Sequence, residues 1–482
     1  MSARTSEALQ GGTRAIPSIP WALASLCLSM LLSSLGTSSA NVALPTLAKT
    51  FGASFQEVQW VVVAYLVAIT SSIVSFGRLG DLLGRQRLLR AGLLVFSTAS
   101  LVSAVAPSLW VVIIARAIQG LGAAIMMALT FAFVSEIVPK VRTGSAMGLL
   151  GATSAVGTAL GPSLGGVLIH WFGWRAIFLI NVPLGLAAFA LVCTHLPAHA
   201  RKGDDAIGFD NKGTALLGLT LIAYALAMTS GRGHFGMRSL VLLIAALIAL
   251  ALFIVTEKKA AAPLLRLTLF RDATLNASLF ANLLVSTVAM TNLVVGPFYL
   301  ALGMQLDAGT VGMVMSAGPS VSALAGIPAG RVVDRFGTHR TTLAGLFGIA
   351  VGDILLALTP KTFGIPGYVL PMVVATASYA LFQAANNTAV MQNVDPRERG
   401  VMSGTLSLSR NLGLTTGACF MGAVFAFAAG KSDVTTAGSD AVSAGMRGAY
   451  SLAAALMISA LLAVALTHAR GLRREVTKVH HP

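Results

Sequence analysis

Residues 77–87 read GRLGDLLGRQR, and residues 330–340 read GRVVDRFGTHR. The two segments share Gly, Arg, Asp, Gly and Arg at the same five positions. A second pair, PKVR at 139–142 and PRER at 396–399, follows the two copies in the same order. Self-similarity at a fixed spacing is typical of a duplicated unit. The sequence therefore predicts two homologous halves, whose copies of the motif begin at residues 77 and 330, 253 residues apart.

The composition indicates what kind of unit is duplicated. Of 482 residues, 56% are hydrophobic and only 10% are charged, and the mean hydropathy is +0.81. Soluble globular domains have about 25% charged residues, so the composition predicts a membrane protein. The three cysteines, Cys27, Cys193 and Cys419, lie in separate apolar runs without CxxC spacing, which is typical of small buried hydrophobic residues.

Apolar runs long enough to cross a bilayer predict an all-α membrane protein, because only a helix satisfies its own backbone in hydrocarbon. Six runs precede a charged linker at 197–212, and eight follow it. The first six lie near 21–48, 57–76, 88–107, 109–135, 145–168 and 175–195. The other eight lie near 213–230, 239–256, 276–302, 309–330, 341–359, 367–392, 401–428 and 448–467.

The chain is thereby divided into five regions. They are an N-terminal tail at 1–20 without a cleavable signal peptide, a six-helix bundle at 21–196, a linker with two inserted spans at 197–275, a second six-helix bundle at 276–467, and a basic tail at 468–482. The spacing between the motif copies exceeds what six spans need, and the two inserted spans account for the excess. We expect a substrate cavity between the halves, near the bilayer midplane.

The net charge of +16 follows the predicted topology. If both termini are cytoplasmic, most of the 33 Lys and Arg fall in cytoplasmic segments, as the positive-inside rule requires. We therefore expect a multi-pass protein of the inner (plasma) membrane, and we interpret the basic charge as topological rather than as a nucleic-acid footprint.

With these motifs the chain resembles the major facilitator superfamily, and within it the fourteen-span drug/proton antiporter branch, over roughly residues 15–470. The resemblance implies the major-facilitator fold, two six-helix bundles related by a pseudo-two-fold axis with two extra helices between them. It also implies that the repeated motif forms a gating loop, in which Asp81 and nearby arginines form a charge cluster that latches the halves. The gating residues are Gly77, Arg78, Asp81, Gly84, Arg85, Arg87, Gly330, Arg331, Asp334, Gly337 and Arg340.

Two further segments carry the resemblance. RAIQGLG at 116–122 is similar to the family's fourth-helix motif, whose arginine is linked to proton transfer, although a purely structural role for Arg116 stays open. GTALGPSLGG at 157–166 resembles the antiporter motif of exporters, and small-residue packing is the simpler alternative. The residues of this second motif are Gly157, Gly161, Pro162, Gly165 and Gly166.

The first span departs from the family pattern. LGTSSANVALP at 35–45 resembles a signature of the fourteen-span branch that ordinarily has an aspartate where Gly36 stands. Without this carboxylate, both the proton-coupling site and the usual preference for cationic drugs are open.

A proton antiporter needs a carboxylate shielded from water. Asp353 is the clearest acid inside a span, and Glu136, at the end of the span that contains Arg116, is the second candidate. The alternatives are a structural role for Asp353 and a solvated helix end for Glu136.

Other polar residues within apolar runs are candidates for the substrate cavity, or else pair with each other across helices. They are Asn41, Gln119, Asn282, Asn292, Gln383, Asn386, Asn387 and Arg410. Arg116 and Arg410 together make the charge within the spans positive or near neutral, which favours neutral, zwitterionic or anionic substrates over dications.

Other chemistries find little support. GKS at 430–432 lacks the glycine that a phosphate-binding loop needs, so ATP-driven transport is rejected. Pro197 separates His195 from His199, which argues against a metal site. A membrane-embedded enzyme, the main competing class, lacks a converging set of acid, base and nucleophile.

The sequence thus predicts a monomeric, proton-driven exporter of small amphipathic compounds that works in the lipid bilayer and needs no cofactor beyond the proton gradient. The alternative is a dedicated exporter or importer of one metabolite, with different or no proton coupling.

Overall fold

A computed structural model describes residues 19–138, 143–197, 210–229, 236–260, 272–392, 399–430 and 433–480. These residues form helices and contain no strand. The first half consists of α1 (Ile19–Phe51), α2 (Phe55–Leu83), α3 (Arg85–Ala104), α4 (Leu109–Ile137), α5 (Thr143–Phe172) and α6 (Ala176–His195). The inserted pair is α7 (Asn211–Thr229) and α8 (Met237–Lys259). The second half consists of α9 (Ala273–Gly303), α10 (Ala308–Phe336), α11 (Thr338–Leu358), α12 (Gly364–Gln392), α13 (399–428) and α14 (Ser439–His480).

Thirteen of these helices are long and apolar enough to cross a membrane, and α10 makes a fourteenth when its two bent segments are taken as one span. The bend of 50° lies between Gly326 and Pro328. Proline lacks the N–H for the helical ladder and its ring clashes with a carbonyl one turn earlier, which explains the bend. The predicted all-α fold with fourteen spans is confirmed.

The two halves pack in the same order. In the first half α1 packs on α5 and α6, α2 on α4, and α3 on α4 and α6. Eight helices later the same pairs recur: α9 packs on α13 and α14, α10 on α12, and α11 on α12 and α14. The duplication predicted from two short motifs therefore extends to the packing of all six helices in each half.

The halves meet along two seams, α5 against α10 and α2 against α13, with α1 touching α9 between them. The inserted helix α7 packs on α2 and on α13, and so covers one seam. Its Thr229 hydroxyl accepts a hydrogen bond from Trp60 Nε1 of α2 at 3.1 Å, and Tyr224 lies beside Thr416 and Cys419 of α13.

The repeated motif differs from the predicted loop, because most of it is helical. α2 extends to Leu83 and α3 begins at Arg85, so that Gly84 alone separates them, with φ 94°. Gly337 separates α10 from α11 in the same way, with φ 80°. Only glycine adopts such positive φ readily, which explains why both copies have it here. We call the side of the molecule with Gly84 and Gly337 the motif side, and the opposite side the far side.

The termini of the described chain extend the predicted regions slightly. α1 begins at Ile19, and residues 1–18 of the predicted N-terminal tail lie outside the described residues. α14 continues to His480, so the helix includes residues 468–480 of the predicted basic tail.

Candidate functional site

Arg116 lies at the centre of the first half, on α4, and is 1% exposed. Its Nε donates to the Val61 carbonyl of α2 at 2.9 Å, and its Nη2 to the Gly36 carbonyl of α1 at 2.9 Å. Its Nη1 donates to Gln119 Oε1, one turn along α4, at 2.7 Å. The guanidinium thus joins three helices through neutral oxygen atoms.

Tyr65 of α2 completes this centre, and sequence reasoning missed it. Its ring centre lies 4.0 Å from Arg116 Cζ, a cation–π contact, and its hydroxyl donates to the Ser33 carbonyl at 2.8 Å. A desolvated contact of this kind contributes about 2 kcal/mol. The available signal was compositional: the chain has six tyrosines, and a tyrosine in an apolar span must find a partner for its hydroxyl.

The packing around Gly36 gives a local reason for the missing aspartate. A Cβ at this position would lie 3.1 Å from Tyr65 Oη and 3.2 Å from Cζ of Phe96. Contacts that short require the neighbours to move, so the present arrangement of Tyr65 leaves room for glycine. At this position the backbone carbonyl of Gly36, and not a side chain, accepts the hydrogen bond from Arg116 Nη2.

The network around Arg116 continues away from the other half. Gln119 Nε2 donates to Ser100 Oγ of α3 at 2.9 Å, and Asn181 Nδ2 of α6 donates to the same oxygen at 3.2 Å. Gln119, predicted as a cavity residue, is therefore part of the internal framework of the first half. Asn41 Nδ2 bonds to carbonyls of its own helix, those of Thr37 and Ser38.

A second polar centre lies inside the second half. Asn292 Oδ1 of α9 accepts hydrogen bonds from Tyr368 Oη of α12 at 2.5 Å and from Tyr450 Oη of α14 at 2.9 Å. The ring of Tyr299 lies 5.9 Å from that of Tyr368. Sequence reasoning identified Asn292 but missed the tyrosines, which lie on other helices.

Asp353 is placed beside this second centre. It lies on α11, is 2% exposed, and its Oδ2 has no hydrogen-bond partner among the described residues. It is within electrostatic range of Tyr450, and its helix packs on α12 and α14 of its own half. Asp353 and the hydrogen-bonded group of Asn292, Tyr368 and Tyr450 therefore lie on helices of the second half that pack on one another. Glu136 lies in the last turn of α4, and its side chain is outside the described part of the structure.

Two acids at helix ends are caps. Glu57 and Ser54 form a reciprocal capping box at the start of α2. Asp307 caps α10, where its carboxylate accepts from Thr310 N at 3.1 Å and from Thr310 Oγ1 at 2.6 Å. The hydrogen bond from the Thr310 hydroxyl, helped by the backbone N–H, lowers the pKa of Asp307. Asp307 Oδ2 also lies 3.8 Å from His170 Nδ1 at the end of α5, across the seam between the halves.

The remaining cavity candidates differ in their surroundings. Asn282 binds the Leu406 carbonyl and lies beside Ser409, so it joins α9 to α13 within one half. Gln383 donates to the Tyr379 hydroxyl of its own helix at 2.8 Å. Three others have freer polar atoms: both amide atoms of buried Asn386 and the Nε of Arg410 lack partners among the described residues, and Asn387 is exposed.

The gating residues surround Gly84 and Gly337, the two glycines that define the motif side. Arg85 Nη1 donates to the Ala132 carbonyl of α4 at 3.3 Å, while Arg87 is exposed. The side chains of Arg78 and Asp81 lie outside the described part, so the proposed charge cluster stays a prediction. In the second copy Arg331, Asp334 and Arg340 are exposed.

The glycine motif of α5 makes contact on two sides. A Cβ at Gly157 would lie 2.8 Å from the Leu31 carbonyl of α1, and Gly161 and Gly165 face the next turn of α1. Gly166 instead faces α10, where its added Cβ would lie 2.5 Å from Cα of Gly312. The segment therefore packs α5 tightly against its own half and against the other half, near the far side.

Comparisons with known proteins agree with this architecture. The sequence profile of the Major Facilitator Superfamily matches residues 26–418 and again residues 279–476. Riboflavin transporter RibZ of Clostridioides difficile (strain 630) is 29% identical over 401 residues, 83% of this chain and 87% of RibZ. Multidrug resistance protein Stp of Mycobacterium tuberculosis (strain CDC 1551 / Oshkosh) is 30% identical over 413 residues, 80% of this chain and 72% of Stp.

A solved structure shows the same fold. A bacterial homolog to the human lysosomal transporter Spinster, in an inward-facing and unoccupied conformation, superimposes with a TM-score of 0.68 at 14% identity. The match covers 95% of this chain and 98% of the other. From the profile, the relatives and the fourteen spans, the chain is a multi-pass membrane protein that belongs to the Major Facilitator Superfamily of transporters.

Proposed function

We propose that this protein exports small amphipathic compounds across the inner membrane in exchange for protons, by alternating access. The observation that supports export most is the α5 segment from Gly157 to Gly166, which resembles the exporter motif and packs against both α1 and α10. The similarity to a multidrug resistance protein over 80% of the chain supports the same substrate class.

The charges support neutral, zwitterionic or anionic substrates. Arg116 holds its charge among carbonyl and amide oxygens, and glycine stands at position 36 where the family pattern has an acid. A positive centre in a region of low dielectric disfavours a cation, and more strongly a dication.

For proton coupling we propose Asp353. A carboxylate buried in a low-dielectric region favours its neutral form, and a nearby change in polarity or access alters that balance. The hydrogen-bonded cluster of Tyr450, Asn292 and Tyr368 extends from beside Asp353 to α9 and α12. Glu136 is the second candidate for this role.

The alternative is a transporter of one metabolite with different or no proton coupling. The similarity to a riboflavin transporter, which covers 87% of that relative, favours it specifically. A planar, neutral compound rich in carbonyl groups also suits a site without a carboxylate.

The test uses purified full-length protein in liposomes that contain a pH-sensitive dye, with riboflavin and the neutral amphipathic compound chloramphenicol as probes. We expect the addition of a transported probe to drive proton flux in the wild type, and Asp353→Asn to abolish the flux while probe binding is kept. Asp440→Asn, an exposed acid of the same half, serves as the matched control and is expected to keep the flux. Probe transport without proton flux in the wild type would replace antiport by the single-metabolite alternative.

A further inference from the structure

The far side of the molecule is closed by the first two turns of α2, which insert into the second half. Phe55 is completely buried, and its ring meets those of Phe298 on α9 and Phe425 on α13 edge to face, with centres 4.7 and 5.4 Å apart. The Phe55 N–H donates to Asp433 Oδ1, beyond the end of α13, at 3.3 Å. The capping box of Ser54 and Glu57 fixes the start of the inserted helix.

One turn later a side chain of α2 binds the backbone of α13. Gln59 is 1% exposed, and its Nε2 donates to the Ala418 carbonyl at 2.7 Å. Ala418 lies in a π-helical segment, Gly417–Met421, within an otherwise α-helical span. Where a helix changes from α to π register, the hydrogen-bond ladder is interrupted and a carbonyl becomes available to an outside donor.

The segment is also shaped to receive this side chain. A Cβ at Gly422 would occupy the place of Gln59 Nε2, so glycine is the residue that leaves room for the amide. The π turn and Gly422 thus form an acceptor and a notch that Gln59 of the other half fills.

From these contacts we infer that Gln59 and the π turn of α13 form the far-side latch of the transport cycle, a hydrogen bond made in this conformation and broken when the halves part on the far side. The inference rests on the alternating access of the proposed function. When the latch opens, water replaces each partner, so the bond contributes a modest net stabilisation suited to a reversible gate. The apolar Phe55 contacts are lost in the same movement.

The test measures the far-side distance by pulsed electron paramagnetic resonance on the full-length protein in lipid nanodiscs. Spin labels are attached at Lys49→Cys and Gly438→Cys, two exposed far-side positions, one in each half. Cys27, Cys193 and Cys419 are replaced by Ala in every variant, because Cys419, although buried here, lies in the π turn that opening of the latch would expose. The measurement needs neither a substrate nor a proton gradient. A negative result would therefore count against the latch and not against the proposed proton coupling.

Gln59→Leu is expected to raise the population with the longer distance by at least about threefold, because removal of the donor leaves the Ala418 carbonyl buried without its partner. Gln56→Leu is the matched control on the preceding turn of α2. Gln56 is also buried, but its amide makes no hydrogen bond within the described part of the chain. We expect this control not to raise the open population.

Gly422→Ala provides a second, independent disruption. The added methyl displaces the Gln59 amide, so the variant is expected to open the far side like Gln59→Leu, and the two changes together are expected to add little. The inference is overturned if Gln59→Leu leaves the wild-type distance distribution unchanged. It is equally overturned if Gln56→Leu opens the far side as much as Gln59→Leu.

Discussion

At the scale of single residues, Arg116 shows how a charge is kept inside a membrane span without a carboxylate. Its three hydrogen bonds go to Val61, Gly36 and Gln119, and its flat face lies on Tyr65. Hydrogen bonds to charged groups contribute about 1.5–3 kcal/mol each, and together they offset the penalty of a buried ion. The charge itself stays uncancelled, so it still acts on whatever binds nearby.

This arrangement predicts the effect of restoring the family's acid. In Gly36→Asp the new carboxylate pairs with the Arg116 guanidinium and cancels its field, so ethidium should bind about three- to tenfold more tightly than to the wild type. Gly36→Asn is the matched control. Its side chain is as large as that of Asp and makes the same close contacts with Tyr65 and Phe96, but it carries no charge. Dye binding is measured by fluorescence titration of each purified variant.

The comparison of Asp with Asn decides the interpretation. Tighter ethidium binding in Gly36→Asp alone assigns the effect to charge. Equal binding by the two variants would contradict the view that Arg116 disfavours cations. If both variants were destabilised by the size of the new side chain, each would have a lower melting temperature than the wild type. Gly36→Ala adds only a methyl group, and its melting temperature is expected to fall less.

Residues of the site were predictable from the sequence to different degrees. Arg116, Asn292 and Asp353 stood out because a polar side chain in an apolar run is rare and expensive. Their partners did not, because Tyr65, Tyr368 and Tyr450 are each contributed by another helix, and periodicity along one helix does not specify what its neighbour presents. For the same reason, the sequence did not distinguish Gln119, whose side chain is hydrogen-bonded within the first half, from cavity candidates whose polar atoms lack partners among the described residues.

At the scale of elements, α5 is a helix with two different glycine faces. Gly157, Gly161 and Gly165 let α1 approach, whereas Gly166 meets Gly312 of the other half. Close backbone approach of this kind is what small residues provide between membrane helices. The spacing of the glycines was readable in the sequence, but which of them faced the other half depended on the packing of α10.

Gly166→Ala should therefore destabilise the closed seam. The added Cβ would lie 2.5 Å from Gly312 Cα, and overpacking of this kind lowers the melting temperature by about 2–5 °C. Gly151→Ala, on the same helix, is the matched control, because its Cβ would meet no atom within 4 Å and alanine is the better helix former. Melting is followed in detergent by thiol-reactive dye or circular dichroism. Equal melting temperatures for the two variants would contradict the prediction, because they would show that α5 and α10 can move apart to accommodate the methyl group without loss of stability.

Irregularities of the helices mark the limit of prediction at this scale. Span positions followed from the length of apolar chain that hydrocarbon requires, and most of them agree with the described helices within a few residues. The exceptions are α2 and α10, which continue beyond the predicted ends at 76 and 330 to Leu83 and Phe336, and α14, which spans Ser439–His480 instead of 448–467. The π turns at Tyr299–Gly303 and Gly417–Met421 were not predicted. The residues of a π turn do not differ in type from those of an ordinary helix. The contact that Gln59 makes with the Ala418 carbonyl comes from a distant part of the chain and forms only when the two halves pack together.

At the scale of the whole molecule, the contacts that join the halves are concentrated toward the far side. They include Phe55 with Asp433, Gln59 with Ala418 and His170 with Asp307. Along the seam of α5 and α10, a Cβ added to Gly166 near the far side would lie 2.5 Å from Gly312 Cα, whereas one added to Gly151, Gly326 or Gly330, toward the motif side, would meet no atom within 4 Å. We interpret this arrangement as the conformation that opens toward the motif side.

The physiological meaning of this conformation depends on which side is cytoplasmic, and the basic charges predict that it is the motif side. A membrane-impermeant maleimide applied to intact cells should therefore label Lys49→Cys and Lys361→Cys, both exposed on the far side. Lys212→Cys and Arg335→Cys, exposed on the motif side, should react only after the cells are permeabilised. Each variant is its own control, since labelling before and after permeabilisation is compared on the same blot.

The reverse labelling pattern would mean that the conformation described here opens to the outside, and the Gln59 latch would then close the cytoplasmic face. Labelling of all four positions in intact cells would indicate insertion in both orientations, against a charge bias of this size. With the expected pattern, the open motif side faces the cytoplasm, where an exporter collects its substrate. The loss of the Gln59 bond would then be part of the step that releases substrate outside.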